Sequence, residues 1–207
     1  MQNFTNKKYS LRRIKTEGFI RLDFHGDSIT QGCGFVSQQE MYTHWIVENI
    51  KKITALEFIC IYNHAVGGAT SADGISRLHW SKREEKMPDL SFIMFGLNDI
   101  QKGVPLNQYE KNLELIIEGL KSLGSEVVLL SPTPFLSKMP EVKDYSEHAE
   151  GIANAMDILF IDCFSPFNEM IEKLPNLLWS DGVHLNAEGH KVLAGIIWKK
   201  LEPLKYD

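Results

Sequence analysis

Phe24-His-Gly-Asp-Ser-Ile-Thr-Gln-Gly-Cys-Gly34 is the stretch from which the fold can be read. An apolar run, residues 19–25, leads directly into a turn of Gly26, Asp27 and Ser28, after which the residues are small and polar. Open α/β sheets place their chemistry on such turns, at the carboxyl ends of buried strands. A serine there becomes reactive only if a base and a set of hydrogen-bond donors reach it from elsewhere in the chain.

Working outward, four further apolar runs read as strands, at 56–62, 90–95, 126–131 and 158–163. Most are continuous rather than alternating (Phe-Ile-Cys-Ile-Tyr, Val-Val-Leu-Leu), as expected of parallel strands covered on both faces. Helical patterns lie between them. Ser37-Gln-Gln-Glu40 reads as a capping box ahead of Ile46, Ile50 and Ile53. Asn107 is placed to cap a helix whose Tyr109, Leu113, Ile116, Ile117 and Leu120 form one stripe, and Gly124 to stop it. Asn186 precedes a last helix with Leu193, Ile196 and Ile197 on one side. Pro132 to His148 is less periodic and reads as loop followed by a helix start. This alternation predicts a three-layer α/β/α sandwich on a five-stranded parallel sheet with right-handed crossovers. Asp23, inside the first strand, is out of place on a covered surface and calls for a partner not visible in the sequence.

The 207 residues suit one domain large enough to bury a core without staples. Net charge is −5, which offers no general attraction to nucleic acid or anionic membrane. Lys7, Lys8, Arg12, Arg13 and Lys15 face only Glu17 in residues 1–18, which read as a basic, solvated arm ahead of a single domain at 19–207. The arm lacks the apolar centre of a secretory signal, and no apolar run is long enough to span a bilayer. Three cysteines, at 33, 60 and 163, form no CxxC pair, and the odd count favours a reducing compartment, with the cytoplasm as the expected location. Cys60 and Cys163 read as small core residues, and Cys33 as a weak rival nucleophile with no base of its own.

Of seven histidines, His44, His79 and His190 fall on helical patterns, while His25 adjoins the serine turn but points aside. His184 differs. It follows Asp181 by three residues in Ser-Asp-Gly-Val-His, a turn in which one carboxylate can hold imidazole Nδ1 and leave Nε2 for Ser28. Such a pair could also ligate a metal, given a third ligand. Two other strand-end turns offer oxyanion donors: Asn63-His-Ala-Val-Gly-Gly-Ala-Thr70 and Phe95-Gly-Leu-Asn-Asp99. Alone, the glycines could serve a tight turn and Asn98 could cap a helix.

Taken together and in order, the Gly-Asp-Ser, Gly-Gly-Ala-Thr, Gly-Leu-Asn-Asp and Asp-Gly-Val-His blocks resemble those of the SGNH hydrolases, the GDSL-like esterase and lipase superfamily. The resemblance runs from about residue 19 to 198 and implies a flavodoxin-like sheet of order 2-1-3-4-5. It implies Ser28 as nucleophile, Asp181 and His184 as the acid and base of a triad, and Ser28, Gly68 and Asn98 as the oxyanion hole. The implied activity is cleavage of a small-molecule ester: a small acyl ester, an acetylated carbohydrate or a lysophospholipid, through an acyl-enzyme. An acyltransferase with the same triad, or a binding module that has lost turnover, are the alternatives. No cofactor and no metal enter this scheme. His25 before Gly26 and Ala69 after Gly68 depart from the family's usual choices.

Overall fold

A computed structural model of the protein describes residues 18–32, 34–53, 56, 58–82, 86–173 and 176–201. The basic arm, Gly18 apart, and Cys33 therefore lie outside the described residues. Five strands form one sheet: β1 (Phe19–Gly26), β2 (Phe58–Asn63), β3 (Leu90–Met94), β4 (Glu126–Leu130) and β5 (Leu159–Ile161). Their order is β2-β1-β3-β4-β5, and every pairing is parallel. This is the order implied by the resemblance.

Parallel neighbours need crossovers, and helices supply them. They are α1 (Ser28–Gln31), α2 (Tyr42–Ile53), α3 (Ser71–Arg77), α4 (Leu97–Lys102), α5 (Leu106–Ser122), α6 (Met139–Ala155), α7 (Phe164–Lys173) and α8 (Ala187–Leu201). From β1 the chain steps outward to β2, then reverses and moves across β3, β4 and β5. With right-handed crossovers, that reversal puts α2 on one face and α3, α5 and α6 on the other. Contacts agree: α5 packs against α3 and α6, while α8 returns to lie on α2. The reversal also opens a crevice at the carboxyl ends of β1 and β3.

The core follows the apolar runs. From Ile20 to Gly26, β1 is buried throughout, and the Phe24 and Phe92 rings stack across β1 and β3 at 4.8 Å. Tyr109, Leu113, Ile116, Ile117 and Leu120 are the buried stripe of α5. At the edge, β2 has a neighbour only on its β1 side, so half of its apolar run stays open. Cys60 is accordingly half-buried rather than a core residue, whereas Cys163 is fully buried.

Two local readings shift, and a third holds. Pro105, not Asn107, precedes α5: its carbonyl accepts from the Gln108 and Tyr109 N–H groups, and Asn107 is exposed in the first turn. No side chain caps this end of the helix. The Ser37–Glu40 box opens a single 3₁₀ turn, with α2 starting at Tyr42. Pro132–His148 holds a 3₁₀ turn at Leu136–Lys138 and then α6, whose first turn tolerates Pro140. Among the described residues no helix is long and apolar enough to cross a membrane.

Candidate active site

Ser28 is the first residue of α1, immediately after the strand–helix turn. Asp27, in extended conformation, caps that helix by accepting the Ile29 N–H on Oδ1 at 3.0 Å. Gly26 allows the turn to close: a Cβ there would lie 2.4 Å from Thr30 Oγ1 and 2.8 Å from the Met94 carbonyl. No side chain fits between those atoms.

His184 arrives from the other end of the chain on a short hairpin. Leu178 pairs with Leu185 in an antiparallel bridge, and the Trp179 N–H donates to the His184 carbonyl at 2.8 Å. Within the turn, Asp181 Oδ1 accepts from the N–H groups of Val183 (2.9 Å) and His184 (3.0 Å), and Oδ2 lies 2.7 Å from His184 Nδ1. Partial burial pushes the Asp181 carboxyl up, but those N–H groups and the imidazole outweigh it and hold the group below its ordinary value. A carboxylate only accepts, so Nδ1 carries the proton, and in the neutral tautomer Nε2 is the nitrogen with the lone pair. That Nε2 is 2.8 Å from Ser28 Oγ, across 156 residues of sequence. Behind the imidazole, the Phe35 ring stacks at 3.6 Å and 9°.

The hairpin is tied down at both sides. Leu136 N–H donates to the Gly182 carbonyl. Asn186 Oδ1 accepts the Gly189 N–H, starting α8 as expected. One turn later, buried His190 accepts the Tyr42 N–H on Nδ1, and the Tyr42 hydroxyl meets Thr30 Oγ1 at 3.0 Å. Burial holds His190 down at about 4, so it stays neutral and able to accept.

The two remaining blocks lie on the neighbouring turns. Gly68 follows β2 with φ +75°, exposed, and its carbonyl accepts from Lys102 Nζ at 2.9 Å. Beside it, the Gly67 N–H donates to Gln31 Oε1 at 2.7 Å, and a Cβ on Gly67 would sit 3.8 Å from Ser28 Cβ. The loop thus lies against the serine. Asn98, half-buried in the first turn of α4, directs Nδ2 toward Asp27 Oδ2 at 3.4 Å. Asp99 clips the two turns together by accepting from the Ser71 N–H (3.0 Å) and Oγ–H (2.5 Å), and Asn112 donates to that same Oγ. Burial pushes both Asp99 and Asp27 up, the latter to about 7.

Beneath this surface lies the explanation for Asp23. Its carboxylate receives Arg21 Nε at 2.8 Å and Nη2 at 2.9 Å, the Ser81 hydroxyl at 2.8 Å, and meets His64 Nε2 at 3.0 Å. Burial pushes Asp23 up, but these partners outweigh it and the group stays below its ordinary value. His25 stacks near His64 with ring centroids 4.9 Å apart, and burial holds it down at about 3. Ligand atoms of Asp23, His25 and His64 lie within 4.8 Å of one another, the geometry of a potential cation site. The Arg21 guanidinium already supplies the positive charge, which disfavours a metal ion there. His79 and His148 have partners of their own, the Ser76 carbonyl and Glu110.

Ser28, Asp181 and His184 are therefore brought into contact, with Gly68 and Asn98 on the adjoining turns. Phe35, Gln31 and the Asp99–Ser71 clip carry no sequence signal of a role, because each acts through a contact made only in three dimensions.

Residues 24–192 match the model of the GDSL-like lipase/acylhydrolase family. The chain belongs to this family. This GDSL-like enzyme is accordingly an ester hydrolase of the serine type. It is 29% identical over 201 residues to an acetylxylan esterase of Geobacillus stearothermophilus, spanning 84% of this chain and 90% of that protein. It is 26% identical over 180 residues to Esterase TesA of Pseudomonas aeruginosa, spanning 86% of each. A crystal structure of TesA superposes with a TM-score of 0.76 at 24% identity, covering 89% of this chain and 99% of that one. The acetylxylan esterase Axe2 of Geobacillus stearothermophilus gives 0.73 at 24% identity, covering 91% and 95%. These likenesses show the same sandwich.

Proposed function

We propose that Ser28, His184 and Asp181 carry the ester hydrolysis, with the N–H groups of Ser28 and Gly68 and the amide of Asn98 as the oxyanion hole. The observation that supports this most is the 2.8 Å contact between Ser28 Oγ and His184 Nε2. A serine hydroxyl is a weak nucleophile until a base takes its proton, and this contact supplies the base.

In the forward step, Oγ bonds to the ester carbonyl carbon while its proton passes to Nε2. Asp181 stabilises the imidazolium that results. The negative charge moves onto the former carbonyl oxygen, between the turns after β2 and β3. As the intermediate collapses, the carbon–oxygen bond to the alcohol breaks and His184 returns the proton to the leaving oxygen. Water then repeats the sequence on the acyl-serine, giving the acid and free Ser28. The substrates that fit this scheme are a small acyl ester, an acetylated carbohydrate or a lysophospholipid.

The test is hydrolysis of p-nitrophenyl acetate by the wild type, Ser28→Ala and His184→Ala. Both variants should lose at least ~10³-fold in kcat while unfolding at the wild-type temperature. Undiminished turnover by Ser28→Ala refutes the assignment. Residues 19–207 are read as the single catalytic domain, with the basic arm before it. The unpaired Cys60 and Cys163 support a reducing, cytoplasmic setting, to be checked by fractionating cells.

A further inference from the structure

Trp179 is half-exposed, at 48%. Its place in the hairpin is specific. Because Leu178 pairs with Leu185, Trp179 stands directly opposite His184, and the hydrogen bond from its N–H to the His184 carbonyl marks the pair. Opposed residues of an antiparallel pair share a face, with Cβ atoms about 5.5 Å apart. The pairing thus places Trp179 across the hairpin from His184, while Phe35 closes one of the imidazole's flat faces. Leu136, also exposed, extends the same rim: its side chain lies 3.3 Å from where a Gly182 Cβ would be.

The chemistry decides what passes this rim. His184 must hand its proton to the leaving oxygen, so that oxygen lies within about 3 Å of Nε2 at the moment of cleavage. The carbonyl oxygen, by contrast, faces the turns bearing Gly68 and Asn98. The alcohol half of the ester therefore leaves past the hairpin. A flat, half-exposed apolar ring suits a ring-shaped partner with an apolar face. The exposed carboxylate of Asp181, two residues away, disfavours an anionic phosphate headgroup in the same place.

We propose that Trp179 is a specificity-determining residue that stacks on the alcohol portion of the substrate, and that this alcohol is a neutral sugar ring. The inference rests on the assignment of Ser28 and His184 above and names the substrate class of that site.

The experiment measures kcat/KM of the full-length enzyme toward ethyl acetate, phenyl acetate and an acetylated methyl pyranoside, for the wild type and Trp179→Ala, Trp179→Phe and Trp179→Leu. Trp179→Ala should lower kcat/KM on the pyranoside about tenfold more than on ethyl acetate, chiefly through KM. Trp179→Phe should recover most of that difference, and Trp179→Leu, apolar but without a flat face, should not. An unchanged pyranoside-to-ethyl ratio in Trp179→Ala overturns the proposal, as does equal recovery by leucine. A loss confined to phenyl acetate replaces the sugar with an aryl alcohol and overturns it too. Activity of Ser28→Ala on ethyl acetate would instead count against the triad assignment, so the two failures are separable.

Discussion

Asp27 offers a sharp test of how the serine turn is built. Its carboxyl is 2% exposed, accepts the Ile29 N–H and lies 3.4 Å from the Asn98 amide. Burial raises it from 3.8 to about 7, with the charge of nearby Asp99 adding to the shift. The folded state therefore binds a proton between pH 4 and 7 that the unfolded chain has released. The stability it contributes is complete below pH 4 and is lost as pH rises toward 7. At about 1.4 kcal/mol per unit, three units amount to about 4 kcal/mol, an upper figure because the turn can relax. Asp27→Asn keeps the shape and stays neutral at every pH. The stability of the Asn variant relative to wild type should then climb by up to about 4 kcal/mol from pH 4 to 7 and level off above it. Urea unfolding followed by tryptophan fluorescence at half-unit steps of pH reads this directly, since titrating groups not coupled to Asp27 cancel in the difference. A gap that is flat across that range, or that grows toward acid, refutes the reasoning.

Asn98→Ala should cut kcat by about 10²–10³-fold with little change in KM, and a rate within twofold of wild type would remove Asn98 from the oxyanion site. Gly26→Ala should prevent the turn from closing, given the 2.4 Å approach to Thr30 Oγ1, and lower the melting temperature and the activity together. Asp23→Asn leaves the Arg21 guanidinium, 1% exposed, without its counter-charge and should cost about 3–5 kcal/mol by urea unfolding. Its lowered carboxyl also predicts that this contribution is complete above the unfolded value near 4 and is lost in stronger acid, as pH falls through the lower folded value.

How much of this was open to reading in the sequence depends on the range of each interaction. Strands and helix stripes are local patterns, so Phe24, Ile116 and Leu193 fall where periodicity puts them. The blocks around Ser28, Gly68, Asn98 and Asp181–His184 are legible because each is a short turn with restrictive chemistry. The exposure of β2 was hidden, since an apolar run does not say whether a further strand lies beside it. Asp23 looked misplaced because its partners come from other turns of the chain, His64 and Ser81 among them. Phe35 gave no sign at all, since a phenylalanine in a loop reveals its purpose only when an imidazole from far away lands on it.

The separation of the two reacting groups has a consequence for the life of the protein. Under the assignment proposed above, a nascent chain carries an inert alcohol at residue 28 until the His184 hairpin and α8 have been synthesised and α8 has docked on α2. Under the proposed assignment hydrolytic turnover is a report on completed assembly, since the same C-terminal segment that brings His184 also brings the buried Leu185, Leu193 and Ile197 to the core.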